Sequence, residues 1–169
     1  RPKQVKIAAF IFFGAAAIAG LTIVAITQLW WLLAVGAVAI IAAWYYTGGK
    51  RPYGYAALGE VSVFIFFGLV ATMGTAYIQL GKFDGNSLIG AVAIGCLATA
   101  VLLVNNIRDR ELDQHVGKRT LAVILGRKLS LALFVLLLWI PVGLLVFFAL
   151  LYQATFFAFA SVLLIAPAT

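Results

Sequence analysis

Apolar residues run almost unbroken through five segments, roughly Val5 to Thr27, Leu29 to Tyr46, Leu58 to Leu80, Leu88 to Val104 and Leu129 to Leu151, and a sixth begins near Ala154. None of these runs alternates every second residue as the strands of an outer-membrane barrel do. Each complete run is about as long as the ~20 residues a helix needs to cross ~30 Å of hydrocarbon. In lipid the backbone must satisfy its own hydrogen bonds, which an open chain achieves only as helix. The pattern therefore predicts an all-α fold, a polytopic transmembrane helical bundle of about six spans, read as one helical domain over residues 1–169. The chain opens on Arg-Pro-Lys with no signal peptide and ends within the sixth run, so we expect it to be an internal part of a longer protein.

Composition agrees: 65% of residues are hydrophobic and the mean hydropathy is +1.14, far above a soluble domain. Charge then orients the bundle. If the spans alternate, Arg1, Lys3, Lys6, Lys50, Arg51, Arg108, Arg110, Lys118, Arg119, Arg127 and Lys128 share one side, and of the 12 Lys and Arg only Lys82 lies opposite. By the positive-inside rule the rich side is cytoplasmic, which predicts a multi-pass protein of the cell membrane. The net charge of +7 then needs no nucleic-acid partner, because anionic lipid or an anionic substrate accounts for it. The single cysteine, Cys96, falls inside a span and reads as core, and the single histidine, His115, reads as solvated. Gly81 and Gly85 have the spacing of a helix-packing pair, but Lys82 and Asp84 between them mark an exposed turn.

One segment breaks the pattern. Residues 105–120, NNIRDRELDQHVGKRT, hold three of the chain's 5 acids, Asp109, Glu111 and Asp113, with four bases. Asp109 and Asp113 are four apart, so on a helix continuing from the fourth span both carboxylates point the same way at the cytoplasmic mouth. Alone, the pair repels. A divalent cation reverses that interaction, and Mg2+ is usually held by one or two carboxylates together with substrate phosphate oxygens. Arg108, Lys118 and Arg119 suit the remaining oxygens of a diphosphate, and Gly117 allows a tight turn before them. The competing reading is an ordinary charged loop that satisfies the positive-inside rule without a ligand.

The neighbouring cytoplasmic loop, residues 45–60, reads YYTGGKRPYGYAALGE. Lys50 and Arg51 precede Pro52, Tyr46, Tyr53 and Tyr55 lie close by, and Glu60 stands at the start of an apolar run. A carboxylate so near the bilayer is a functional candidate, unless it merely reaches interfacial water. The tyrosines, with Trp44, fit an aromatic belt equally well.

The pattern Asn105-Asn106-x-Arg108-Asp109-x-x-x-Asp113-x-x-x-Gly117-Lys118-x-Thr120-Leu121 resembles the second aspartate-rich motif of the UbiA-type intramembrane prenyltransferases. The doubled asparagine, the Gly-Lys-x-Thr-Leu ending, and Pro52-Tyr53-Gly54-Tyr55 followed by Leu58-Gly59-Glu60 resemble more narrowly the 1,4-dihydroxy-2-naphthoate prenyltransferases of menaquinone synthesis. The resemblance implies a nine-helix bundle, of which this chain would be about the third through the eighth helix, with a first aspartate-rich motif expected upstream of Arg1. It implies transfer of a polyprenyl group from its diphosphate to an aromatic acid, with release of diphosphate and, for dihydroxynaphthoate, carbon dioxide.

On that resemblance Asp109 and Asp113 hold Mg2+, Arg108, Lys118 and Arg119 bind the diphosphate, and Asn105 and Asn106 are neutral ligands or orienting groups. Lys50, Arg51, Tyr53 and Tyr55 are candidates for placing the aromatic acid, and Glu60 either orients one of these groups or assists proton removal. The implied partners are a polyprenyl diphosphate, an aromatic acid and membrane lipid. Within the family the alternative acceptors are a hydroxybenzoate, homogentisate, a haem or a chlorophyllide. Outside it a transporter is the main competitor, although that would place polar groups near the midplane rather than at one edge. A non-catalytic subunit would leave the two aspartates without a purpose.

Overall fold

The computed structural model describes residues 2–152, all of whose long elements are helical. The sixth apolar run, from Ala154, lies outside the described residues. The chain divides between Tyr45 and Tyr46 into two compact units.

The first unit holds α1, Pro2–Thr27, and all but the last two residues of α2, Leu32–Thr47. Thr22 and Thr27 turn their hydroxyls back onto the carbonyls of Ile18 and Ile23, at 2.9 and 2.8 Å, so neither polar group is left bare on an apolar helix. Gln28, with φ 58°, breaks the helix and donates Nε2 to the Ala25 carbonyl at 2.6 Å. The expected second span is shorter than its apolar run. Leu29 to Trp31 form a turn, closed by Leu32 N to Leu29 O at 3.0 Å, which leaves a helix of 16 residues, about 24 Å long.

The second unit begins with a 3-10 turn, Tyr53–Tyr55. A near-continuous rod follows, made of α3, Gly59–Val63, a π-helical stretch, Phe64–Met73, and α4, Gly74–Leu80; then come α5, Gly85–His115, and α6, Leu121–Leu151. Among the described residues four helices, α1, the rod Gly59–Leu80, α5 and α6, are long and apolar enough to cross a membrane, and α2 is a shorter apolar helix. These spans make it an integral membrane protein. Large side chains such as Phe12, Ile26, Phe67 and Val101 are more than half exposed, as lipid-facing residues are.

α5 is the centre of this unit, packed on one side by the π-helical stretch and on another by α6. Its core gathers Cys96, Ala100 and Leu103 of α5 with Ala122 and Leu137 of α6, flanked by Phe64, Ile107 and Phe134. Cys96 is thus a core residue, as expected. A Cβ on Gly68 would stand 2.6 Å from the Gly95 Cα and 2.8 Å from the Ala91 carbonyl, and one on Gly95 would meet the Phe64 ring at 2.8 Å. Small residues at 91 and 95, one turn apart on α5, are what admit the π-helical backbone so closely.

Both ends of α5 are set by sequence. Gly81, with φ 70°, caps α4, and Asp84 accepts from the amides of Asn86 and Ser87 at 2.9 and 3.1 Å, which makes residues 81–84 the exposed turn that the charges foretold. At 31 residues, α5 is about 46 Å long against ~30 Å of hydrocarbon. Its last turns, which carry residues 105–115, therefore extend beyond the apolar layer as the fourth span's continuation. Gly117, with φ 77°, makes the tight turn into α6, and Asn86 donates to the Tyr152 hydroxyl at 2.7 Å, so α6 runs back antiparallel beside α5. α6 itself breaks at Gly126, with φ 73° and ψ 170°, where buried Ser130 donates to the freed Gly126 carbonyl at 2.8 Å.

Candidate functional site

The two polar segments picked out by the sequence meet at one end of the second unit. Residues 53–56 leave the 3-10 turn beside residues 118–119: the Arg119 amide donates to the Tyr55 carbonyl at 3.0 Å, and Ala56 and Arg119 form an isolated parallel bridge. Pro52 and Gly54 explain the local path. Proline holds the extended residue before the turn, at φ −65° and ψ 130°, and a Cβ on Gly54 would stand 2.6 Å from the Tyr46 carbonyl. Lys82, by contrast, lies in the turn at the opposite end of α5.

Asp113, with its side chain 7% exposed, receives Lys118 Nζ at 3.0 Å. The same ammonium stands over the Tyr55 ring, 4.9 Å from its centroid, so Lys118 links a carboxylate on α5 to an aromatic from the other loop. The hydrogen bond from Lys118 to Asp113 raises the lysine above its ordinary pKa. One turn earlier, Arg108 grips Asp109 with both forks, Nε to Oδ1 at 2.8 Å and Nη2 to Oδ2 at 3.0 Å. That pair is open to solvent, 70% and 45% exposed.

Glu60 does not reach interfacial water: it is 3% exposed and accepts the amide of Asn106 at 2.9 Å. Tyr53 shares a hydrogen bond with Ser62 at 3.0 Å and packs edge-on against Tyr46, with centroids 5.5 Å apart. Two of the tyrosines therefore have packing roles inside the unit, beyond an aromatic belt. Asn105 is exposed. Lys50, Arg51 and Arg119 are exposed and, among the described residues, make no ion pair. His115 is exposed, and its Nδ1 lies 2.6 Å from the Glu111 carbonyl.

Two participants, Ser62 and Thr99, carry no mark in the sequence pattern, and Thr120 enters it only within the motif's ending. Ser62, two residues after Glu60, and Thr99, the hydroxyl within the fourth apolar run that reaches the Glu60 carbonyl at 3.4 Å, are visible only as polar residues in apolar surroundings. Thr120 is buried, and its hydroxyl is a buried side-chain group without a hydrogen-bond partner among the described residues; it precedes α6 without capping it.

Among the described residues no three His, Cys, Asp or Glu side chains group to hold a metal. Asp109 and Asp113 offer two carboxylates, one helical turn apart, at the end of α5. An all-oxygen pair suits a hard cation that completes its shell with water and phosphate oxygens, so the residues present fit Mg2+.

The sequence matches the UbiA prenyltransferase family over residues 2–169. It is 49% identical over 125 residues, 74% of this chain and 42% of the relative, to a Mycobacterium tuberculosis protein named 1,4-dihydroxy-2-naphthoate octaprenyltransferase. Proteins of the same name from Escherichia coli and Bacillus subtilis are 49% identical over 94 residues, 56% of this chain and 30% of the relative, and 35% identical over 128 residues, 76% and 41%. The chain thus spans less than half the length of these relatives. No solved structure matches it.

Proposed function

We propose, from the premise that this chain belongs to the UbiA prenyltransferase family, that it forms the diphosphate-binding part of an enzyme that moves a polyprenyl group from its diphosphate to 1,4-dihydroxy-2-naphthoate. The allylic C–O bond to diphosphate breaks, one ring carbon gains the prenyl group and loses its proton, and the carboxylate departs as carbon dioxide with a proton taken in its place, giving the prenylated 1,4-dihydroxynaphthalene, the reduced precursor of demethylmenaquinone. The observation that supports this reading best is the meeting of the two polar loops, in which Asp113, Lys118 and Tyr55 come together one turn from Asp109.

Asp109 and Asp113 would hold Mg2+, which when bound would neutralise charge gathering on the departing diphosphate. Arg108 and Lys118 already face carboxylates, so they lower the repulsion between Asp109 and Asp113 and stand ready to turn to phosphate oxygens. Arg119, exposed beside Tyr55 and without an ion pair among the described residues, is the first candidate for a diphosphate contact. Asn105 and Asn106 add neutral oxygens without further negative charge. Tyr55, with Lys50 and Arg51 on the same loop, supplies an aromatic face and two cations for an aromatic acid, and Tyr53 braces that loop through Ser62.

The tail of such a substrate dissolves only in lipid, whereas its head group stays in water. A site on helical turns that project beyond the hydrocarbon serves both ends, and the basic rim supports the cytoplasmic side of the cell membrane as its location. Membranes carrying the full-length protein, given polyprenyl diphosphate and 1,4-dihydroxy-2-naphthoate, should form a lipid-soluble prenylated naphthol only with Mg2+, and Asp109→Asn should lower the yield at least about 100-fold. Turnover of another aromatic acid in its place would keep the class and replace the acceptor. No prenylation of any acceptor would overturn the reading.

A further inference from the structure

Glu60 is the most deeply buried acid among the described residues, 3% exposed, and it lies at the start of α3, in the first turn of a membrane-crossing rod. A carboxylate in that position is costly unless it has a task or a partner. Its partner is 46 residues away: Asn106 Nδ2 donates to Oε1 at 2.9 Å. The backbone is docked on the same helix, since Thr99 Oγ1 reaches the Glu60 carbonyl at 3.4 Å. Thr99 and Asn106 are seven residues apart, two turns along one face of α5, so residue 60 is fixed against that face from two positions.

The chemistry of this pair removes a freedom that asparagine normally has. The two ends of an amide are similar in shape, and a side chain that meets only neutral groups can present either one. Here Asn106 Nδ2 donates to the Glu60 carboxyl, so the NH2 end faces Glu60 and Oδ1 is left as the acceptor. Asn106, Asp109 and Asp113 follow one another at i, i+3 and i+7 on α5, hence on one face. The result is a neutral oxygen of defined direction, one turn before the first aspartate.

We propose that Glu60 is a positioning residue that acts through Asn106, turning the Asn106 carbonyl oxygen towards the cation and diphosphate bound at Asp109 and Asp113, and that it is not the base that takes the acceptor's proton. The proposal rests on the functional reading above. A base must reach its substrate, whereas Glu60 is enclosed and one of its oxygens is occupied by an amide N–H that is not acidic enough to give up its proton.

The test measures Mn2+ binding by electron paramagnetic resonance, with inorganic diphosphate present, on the full-length protein in detergent. Wild type is compared with Glu60→Ala, Glu60→Gln, Asn106→Ala, the double variant Glu60→Ala/Asn106→Ala, and Asp109→Asn. Partners that orient a metal ligand typically contribute about 10- to 100-fold in metal affinity, so Glu60→Ala and Asn106→Ala should each weaken Mn2+ binding by about that factor. The double variant should be no worse than the poorer single one, because the two residues act as one unit. Glu60→Gln keeps the shape and guards against a folding artefact: it should bind Mn2+ more tightly than Glu60→Ala and keep the acidic limb of the kcat profile against pH.

Loss of that acidic limb in Glu60→Gln, with metal affinity intact, would make Glu60 the base and overturn the proposal. Unchanged Mn2+ affinity in Glu60→Ala, with binding abolished in Asp109→Asn, would overturn the proposal alone. If wild type binds no Mn2+ with diphosphate, the functional reading and the proposal fall together.

Discussion

Tyr55 and Lys118 meet across the junction of two loops: the lysine ammonium stands 4.9 Å from the ring centroid while its other contact, Asp113, lies 3.0 Å away on α5. Lys118 is thus the link between a helix end and a loop that the chain reaches more than sixty residues earlier. The main-chain bond from Arg119 to Tyr55 at 3.0 Å fixes the same approach.

Replacing Lys118 by methionine keeps the apolar stem and removes the charge, which leaves the buried Asp113 carboxylate without its donor. Stranding such a group costs about 1–3 kcal/mol. We expect Lys118→Met to lower the Tm in detergent accordingly, and Asp113→Asn to lessen the effect when combined with it, a non-additive pair. Additive losses would show that the two side chains do not support one another.

Alkaline pH should reveal the same link. The hydrogen bond to Asp113 raises Lys118 above the ordinary lysine value, so the folded state holds this proton more tightly than the unfolded chain. Its stabilising contribution is complete below the unfolded lysine pKa of about 10.4 and fades as pH rises through the higher folded value. Wild type should therefore lose Tm more steeply than Lys118→Met as pH rises above about 10.4. Parallel curves for the two proteins would count against the link.

Asp84 has the opposite sign. The Ser87 hydroxyl, then the Ser87 and Asn86 amides, hold its carboxyl below the usual aspartate value. The stabilisation it gives is present above the unfolded pKa of about 3.9 and is lost as pH falls through the lower folded value. Asp84→Ala should lower the Tm at neutral pH and remove part of the decline in acid, because α5 then starts without its cap. A variant as stable as wild type at neutral pH would mean that the packing of α5 alone sets its start.

Much of this was legible beforehand, and the remainder has a common cause. Hydropathy located the long described helices, because lipid permits few alternatives, although α6 begins at Leu121, ahead of its apolar run from Leu129. The helical continuation of the fourth span through Asp109 and Asp113, a premise of the sequence reading, is present in α5. The pairing of Glu60 with Asn106 was not legible, nor that of Tyr53 with Ser62, because each depends on how one helix docks on another or how a loop folds back. The aspartates were expected to share a face; that Arg108 would close on Asp109 and Lys118 on Asp113 depends on rotamers and on the turn at Gly117. The shortening of α2 turns on a left-handed Gln28, a conformation that a glutamine's identity does not announce.

The close approach of the rod to α5 gives the last prediction. Gly68 and Gly95 are in contact to the degree that a Cβ on Gly68 would stand 2.6 Å from the Gly95 Cα, while at Gly90, a turn earlier on α5, a Cβ would meet nothing within 4 Å. Backbone lies in the way at Gly68, and backbone cannot swing aside as a side chain tip can, so Gly68→Ala should force the π-helical stretch away from α5, at about 1–3 kcal/mol as overpacking does. Gly90→Ala should be neutral or slightly stabilising, since alanine favours helix by about 1 kcal/mol over glycine. Because Glu60 begins the rod that Gly68 docks, Gly68→Ala should also displace Glu60 from Asn106 and weaken Mn2+ binding with diphosphate, although residue 68 lies two turns from the acid. A Gly68→Ala protein with a lowered Tm and normal Mn2+ affinity would separate the packing of the rod from the site at its end.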